Sequence, residues 1–249
     1  MWSRFTCLVA ITTVLVASAN AQDLVSCRQT DEILAELREL RSLVDSLVSG
    51  RPLTQRLPSE AQAQIAAATI QLDIGNSAFL GSKDAAVTIV EFADFQCPYC
   101  NQFFVQTFPD LKKNYVDSGK VRFYSMDFPL DIHGNALQAA QAGRCAAEQG
   151  QFWPMHDRMQ RKPEKLDFIQ LVQYAEESGL DTATFSRCIQ DGKYKEDIRQ
   201  AVREAEAKAV RGTPTFVIGK STATRVDGTL VVGAQPYEFF DNMLKDLVH

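Results

Sequence analysis

Val87-Thr88-Ile89-Val90-Glu91-Phe92 is an apolar, β-branched run, and a few residues beyond it stands Cys97-Pro98-Tyr99-Cys100. The run reads as a buried strand. Pro98 directly after Cys97 is a helix-opening signal, since proline is favoured at the first helical position. A strand that runs into Cys-x-x-Cys at a helix start is the arrangement that holds a reactive thiolate. Far downstream, Gly212-Thr213-Pro214-Thr215-Phe216 sets a proline just before a second apolar strand, a place suited to a cis peptide bond. Together the two segments point to thiol–disulfide chemistry.

The N-terminus bears on compartment. Arg4 gives a short positive stretch, Cys7 to Ala17 is apolar, and Ala19-Asn20-Ala21 supplies a small-x-small cleavage pattern. Residues 1–21 are therefore expected to be a secretory signal, cleaved after Ala21. The apolar run falls short of the roughly 20 residues of a spanning helix, which disfavours an uncleaved anchor. Leu24-Val25-Ser26-Cys27 resembles a lipid-attachment motif, but Asn20, Gln22 and Asp23 separate it from the apolar run. The expectation is a soluble protein exported to the periplasm or another extracytoplasmic space, where disulfides persist.

Apolar residues make up 45% of the chain and charged residues 23%, which places it among ordinary globular proteins. The net charge of −5, with no basic cluster, argues against nucleic acid as a partner. Residues 22–69 read as an extension and linker. Within them, Ile33, Leu37, Leu40, Val44 and Leu47 lie on one face of an amphipathic helix over 30–48. That helix either packs on its own domain or joins two chains as a short coiled coil, giving a homodimer.

Residues 70–249 read as the globular domain. A helix is expected from Pro98 to Val116, kinked at Pro109 and closed by Asp117-Ser118-Gly119. Val121 to Met126 is the next strand. Residues 134–210 are helical in pattern, with breaks at Gly150, Pro163, Gly179 and Gly192. Thr215–Ile218 and Thr229–Val232 are expected as strands joined through a turn at Asp227-Gly228, and Pro236 opens a last helix. The sum is an α/β chain: a thioredoxin-like fold with an inserted helical subdomain and an N-terminal amphipathic helix.

In these motifs the chain resembles the DsbA-like family of exported thiol–disulfide oxidoreductases. The likeness rests on Val90 through Cys100, on Gly212 through Phe216, and on Cys145-Ala146-Ala147-Glu148-Gln149-Gly150-Gln151-Phe152-Trp153 in the insert. It implies an enzyme that exchanges disulfides with exported, cysteine-containing proteins, needs no cofactor or metal, and is recycled by a membrane redox partner. Two features concern subtype. Tyr99 stands where the best-known oxidase of the family has histidine, and Thr213 before the proline is similar to the isomerase-type relatives. Introduction of disulfides is the favoured direction, with a dimeric isomerase or reductase as the alternative.

By that resemblance Cys97 is the nucleophile, helped by the helix start, and Cys100 the resolving thiol. Pro214 packs against the pair, Thr213 pairs with substrate backbone, and Glu91 is a buried acid that moves a proton to or from Cys100. Glu91 on a solvent-facing strand end is the alternative. Asp94 reads as a turn residue. Phe95, Tyr99, Phe103 and Phe104 are candidates for an exposed apolar patch. Cys145 and Cys188 are expected as a structural disulfide between two helices, or else as buried free thiols. Cys27 is then left for an intermolecular bond, a free thiol or a lipid. Phe152, Trp153, Met155, His133 and His156 read as packing residues. Two rival functions use the same fold: copper or zinc on the Cys97–Cys100 thiolates, and a non-catalytic envelope scaffold.

Overall fold

The computed structural model describes residues 69–75, 77–222 and 224–248, together with residue 41. Apart from residue 41 these lie in one unit, Ala63–His249. The expected leader over 1–21, the helix over 30–48 and the roles of Cys27 fall outside the described residues. Among the described residues, no helix is long and apolar enough to cross a membrane.

Six strands form one mixed sheet: β1 (Thr69–Asp73), β2 (Phe79–Leu80), β3 (Val87–Ala93), β4 (Val121–Asp127), β5 (Thr215–Ser221) and β6 (Arg225–Val232). Their spatial order is β1-β6-β5-β3-β4-β2. Only β3 and β4 pair in parallel; every other pairing is antiparallel. All seven residues of β3 are buried, as a central strand covered on both faces requires. The short edge strands β1 and β2 are not apparent in the sequence pattern. β1 is half exposed and β2 has two residues, too little for periodicity to register.

Between β3 and β4 runs one long helix, α1, over residues 98–116. Regular turns at Pro98–Gln102 and Phe108–Leu111 alternate with wide π turns at Phe103–Thr107 and Lys112–Val116. The first π turn has a cause. Pro109 has no N–H, and its ring would press on the carbonyl four residues earlier. Widening the turn, with the Phe108 N–H reaching back to the Phe103 carbonyl, relieves that clash. Gly119 ends the run at φ +76°, donating its N–H to the Val116 carbonyl.

Five helices fill the insert: α2 (Ala136–Ala147), α3 (Phe152–Arg161), α4 (Phe168–Glu177), α5 (Thr182–Gln190) and α6 (Lys195–Ala207). Asp167 and Asp181 cap α4 and α5 by accepting from the Gln170 and Thr184 N–H groups. The chain closes with α7 (Tyr237–Leu247), entered at Pro236.

The core has three parts. On one sheet face, Val87, Ile89, Phe123 and Phe216 pack on Phe103 and Phe108 of α1 and Phe240 of α7. On the other, Val90, Phe92, Tyr124 and Val217 meet Ala205 and Val210. The insert has its own cluster around Met155, Met159, Leu171 and Phe185.

One expectation fails. Asp227-Gly228 is not a turn: both residues lie inside β6, and β5 and β6 run past it to a turn between Thr222 and Arg225. The glycine there serves close approach instead. Gly228 pairs with Gly219 across the hairpin, and a Cβ on Gly219 would sit 1.9 Å from the Asp227 carbonyl oxygen. A glycine pair that lets two backbones touch has the composition of a turn.

Candidate active site

β3 ends at Ala93, and a tight turn of Asp94, Phe95 and Gln96 delivers Cys97 to the start of α1. The Cys97 N–H donates to the Asp94 carbonyl at 3.1 Å, and the Asn101 N–H donates to the Cys97 carbonyl at 3.1 Å. Cys97 is thus the N-cap residue, with Pro98 in the first turn. Its sulfur faces the unpaired N–H groups of that turn and the positive end of the helix. Cys100, one turn on, is fully buried.

The second segment meets the first here. The Thr213–Pro214 peptide bond is cis, Pro214 is buried, and the Cys97 thiol donates to the Thr213 carbonyl oxygen at 3.4 Å. Glu91 is buried in β3, 1% exposed, with Oε1 unpartnered in the protein. Five residues from three places in the sequence therefore share one site: Glu91, Cys97, Cys100, Thr213 and Pro214. The Cys145–Cys188 pair lies apart, in the insert. Its sulfurs are bonded, with Cα atoms 6.0 Å apart, tying α2 to α5.

The electrostatics divide the two thiols. The hydrogen bond from Cys100 is the largest influence on Cys97 and draws its thiol down to about 5 against the opposing effect of burial. The Thr213 side chain and the backbone N–H groups of Cys100 and Tyr99 assist. Cys100 moves the other way: burial pushes it well above the usual thiol range, reinforced by its bond to Cys97 and by the charge of Glu91. Burial also lifts the Glu91 carboxyl to about 8, with the Cys97 charge adding to it. At neutral pH the site accordingly holds one thiolate, one thiol and a carboxyl that is mostly protonated. A thiolate next to a held proton is the equipment of thiol–disulfide exchange.

The expected aromatic patch is not there. Phe95, Phe103 and Phe104 are buried at 3, 0 and 6%, and only Tyr99, at 62%, stands in solvent. Phe103 and Phe104 lie on the face of α1 that packs into the core, a face that the π turns make hard to read from spacing. Among the described residues, no group of three or more His, Cys, Asp or Glu is placed to hold a metal.

Asp94 does more than turn the chain. Its buried carboxylate accepts from the Gln96 N–H at 2.7 Å and the Leu130 N–H at 2.8 Å, and it bonds His133 Nδ1 at 2.7 Å. Gln96 Oε1 in turn accepts from the Asn135 N–H at 2.6 Å. The active-site turn is thereby tied to the segment after β4. Half of this was legible, because an Asp two residues before a backbone donor is an Asx-turn signature. The long-range half was not.

These features agree with what the chain is similar to. The thioredoxin family model matches residues 73–245, so the chain belongs to the thioredoxin family. Within it, the relatives place the chain in the DsbA-like branch. The probable disulfide bond formation protein D of Bacillus anthracis is 32% identical over 61% of this chain and 76% of its own length. The crystal structure of alpha-DsbA1 from Wolbachia pipientis superposes with a TM-score of 0.62 at 24% identity, over 71% of this chain and 93% of that one. A Na(+)/H(+) antiporter NhaA 3 of Salinispora tropica is 40% identical over 139 residues. Those residues are 55% of this chain but only 21% of the antiporter, so the chain spans about a fifth of that relative's length.

Proposed function

We propose that this chain is a protein thiol–disulfide oxidoreductase that introduces disulfides into exported proteins through Cys97 and Cys100. The observation that carries this reading is the split between the two thiols, with Cys97 drawn down to about 5 and Cys100 held protonated. A low nucleophile pKa stabilises the reduced form and makes the disulfide the stronger oxidant. Thioredoxin's thiol is near 7 and DsbA's near 3.5, so a value of about 5 lies between them, below thioredoxin's.

In the forward direction a substrate thiolate attacks Cys97 Sγ of the Cys97–Cys100 disulfide, and Cys100 leaves as a thiolate. The Glu91 carboxyl donates its proton to that sulfur, which holds it tightly. A second substrate thiolate then attacks the substrate sulfur of the mixed disulfide. The substrate departs oxidised and Cys97 departs as a thiolate. Thr213, half-buried beside the sulfur, offers its backbone to an extended substrate segment. Reoxidation falls to a membrane redox partner. Cys145–Cys188 serves as a structural bond. The chain works outside the cytoplasm, after removal of residues 1–21.

Thr213 before the proline keeps a second reading in view: a disulfide isomerase or reductase, dimeric through residues 30–48. The equilibrium of the Cys97–Cys100 couple against glutathione buffers separates the two. A potential near or above about −150 mV is expected for the oxidase, and one well below about −200 mV moves the isomerase or reductase to first place.

A further inference from the structure

One face of α3 is polar where it is buried. Trp153, His156 and Gln160 are spaced by three and four residues, so they form a single stripe along the helix. His156 and Gln160 are 1% and 0% exposed. Trp153 Nε1, His156 Nδ1 and both amide atoms of Gln160 are buried without a hydrogen-bond partner in the protein. Four such atoms on one stripe need an account, because buried polar groups are bonded either to protein or to ordered water.

The stripe points at the thiol site. The His156 ring packs between Phe95, two residues before Cys97, at 5.3 Å and Phe104, one turn after Cys100, at 5.5 Å. Its Nε2 lies 3.2 Å from Ser125 Oγ. Ser125 is the register partner of Glu91 on the adjoining parallel strand, so the two side chains leave the same face of the sheet side by side. Glu91 Oε1 is itself buried and unpartnered. At the far end of the stripe the Gln160 backbone carbonyl accepts from Asn101 Nδ2, and Asn101 is half-buried beside Cys100. Polar atoms thus run from Glu91 through Ser125 and His156 to Gln160, inside a wall of aromatic rings.

We propose that His156 is a proton relay for the thiol site: with ordered water along the Trp153–His156–Gln160 stripe, it restores to Glu91 the proton that Glu91 gives to Cys100. The inference rests on the reading of Glu91 as proton donor given above. When a substrate thiolate forms its bond to Cys97 Sγ, the Cys97–Cys100 bond breaks and the electron pair goes to Cys100. Glu91 protonates that sulfur, and in the same step bulk water reloads the carboxyl through His156, which takes a proton at one ring nitrogen and releases one at the other. Without the relay the transfer leaves a buried carboxylate beside the reacting sulfurs and is slowed. Burial holds the imidazole neutral, down to about 4, so one nitrogen accepts while the other donates. Asp157, next to it on α3, is the charge that acts on the ring, and Glu91 on β3 faces it across Ser125.

The test is stopped-flow reduction of the oxidised full chain by dithiothreitol at pH 7, in H2O and D2O, for wild type and the variants His156→Phe, His156→Gln and Glu91→Gln. Alkylation of reduced Cys97 by iodoacetamide reports whether the nucleophile is disturbed. The relay predicts that His156→Phe slows reduction about tenfold or more with an altered solvent isotope effect. His156→Gln, which keeps a donor and an acceptor in the stripe, stays within about threefold of wild type. Alkylation is unchanged in both. Should His156→Phe fail to fold, Ser125→Ala takes its place, since it cuts the link between Glu91 and the ring. A wild-type rate in His156→Phe, beside a slowed Glu91→Gln, overturns the relay and leaves Glu91 as donor. An unchanged rate in Glu91→Gln overturns both. Equal slowing of the two His156 variants, with slower alkylation as well, overturns the relay in favour of packing.

Discussion

The Thr213 carbonyl oxygen and the Cys97 sulfur lie 3.4 Å apart, the thiol donating, although 116 residues separate them in sequence. A carbonyl can only accept, so this bond favours the protonated sulfur and is lost when the thiolate forms. The groups that favour ionisation are on the other side: the Cys100 thiol first, then the Thr213 side chain and the N–H groups of Cys100 and Tyr99. Cys97 is thus held between one group that keeps its proton and several that remove it.

Since the Cys100 hydrogen bond is the largest of these influences, Cys100→Ala raises the Cys97 pKa more than Thr213→Val does. The expected wild-type midpoint is about 5. Thiolate absorbance at 240 nm against pH reads all three proteins. A Thr213→Val midpoint above that of Cys100→Ala would reverse the ranking.

Glu91 makes stability depend on pH. Its carboxyl titrates near 4.5 when free and near 8 in the fold, so between those values the folded chain keeps a proton that the unfolded chain has released. Stability from this group therefore falls as pH rises from about 4.5 to about 8. Cys97 has the opposite sign: its gain is complete above about 9 and is lost as pH falls through about 5. Glu91→Gln removes the first effect and leaves the second. In urea, the reduced variant gains on wild type progressively from pH 5 to 8, by on the order of 3 kcal/mol at the upper end. A constant difference across that range would contradict the burial of the charge.

The Cys145–Cys188 bond closes a loop spanning 43 positions of the insert. Replacing both cysteines with alanine is expected to lower stability by about 2–4 kcal/mol. The Cys97 midpoint stays where it is, because the bond lies outside the thiol site. Urea unfolding with a parallel thiolate titration checks both halves.

Gly219→Ala tests the touching backbones of β5 and β6. Its Cβ would fall 1.9 Å from the Asp227 carbonyl oxygen and 2.4 Å from the Gly228 Cα, so the hairpin must part. The expected loss is above about 3 kcal/mol, in the range kept for a few named mechanisms of severe damage. Thr222→Ala, at the turn itself, costs less than about 1.5 kcal/mol, the scale of a hydrogen bond. Thermal melts of the two variants suffice.

Where the sequence was legible, it was legible for physical reasons. β3 announces itself because both of its faces are apolar. The insert's helices show through Gly150, Gly179 and Gly192, each at positive φ. The thiol pair and the proline were readable as punctuation. Three things were not. The Gly219–Gly228 contact has the composition of a turn. Phe95 is buried by the helical insert packing over the active-site turn, and Phe103 and Phe104 open a π turn that shifts helical phase. The ties of Asp94 to Leu130 and His133 join residues more than 30 positions apart, and pattern reading has no purchase at that range.

Cys97 is only 3% exposed, while its neighbour Tyr99 projects into solvent at 62%. A sulfur set below the surface cannot meet a partner sulfur lying flush on a folded domain. It is met by a chain that can be threaded toward it: a strand end, a loop or a polypeptide not yet folded. On the proposed function, such a recess would act as a conformational sieve, directing exchange toward polypeptides early in their folding and sparing finished ones.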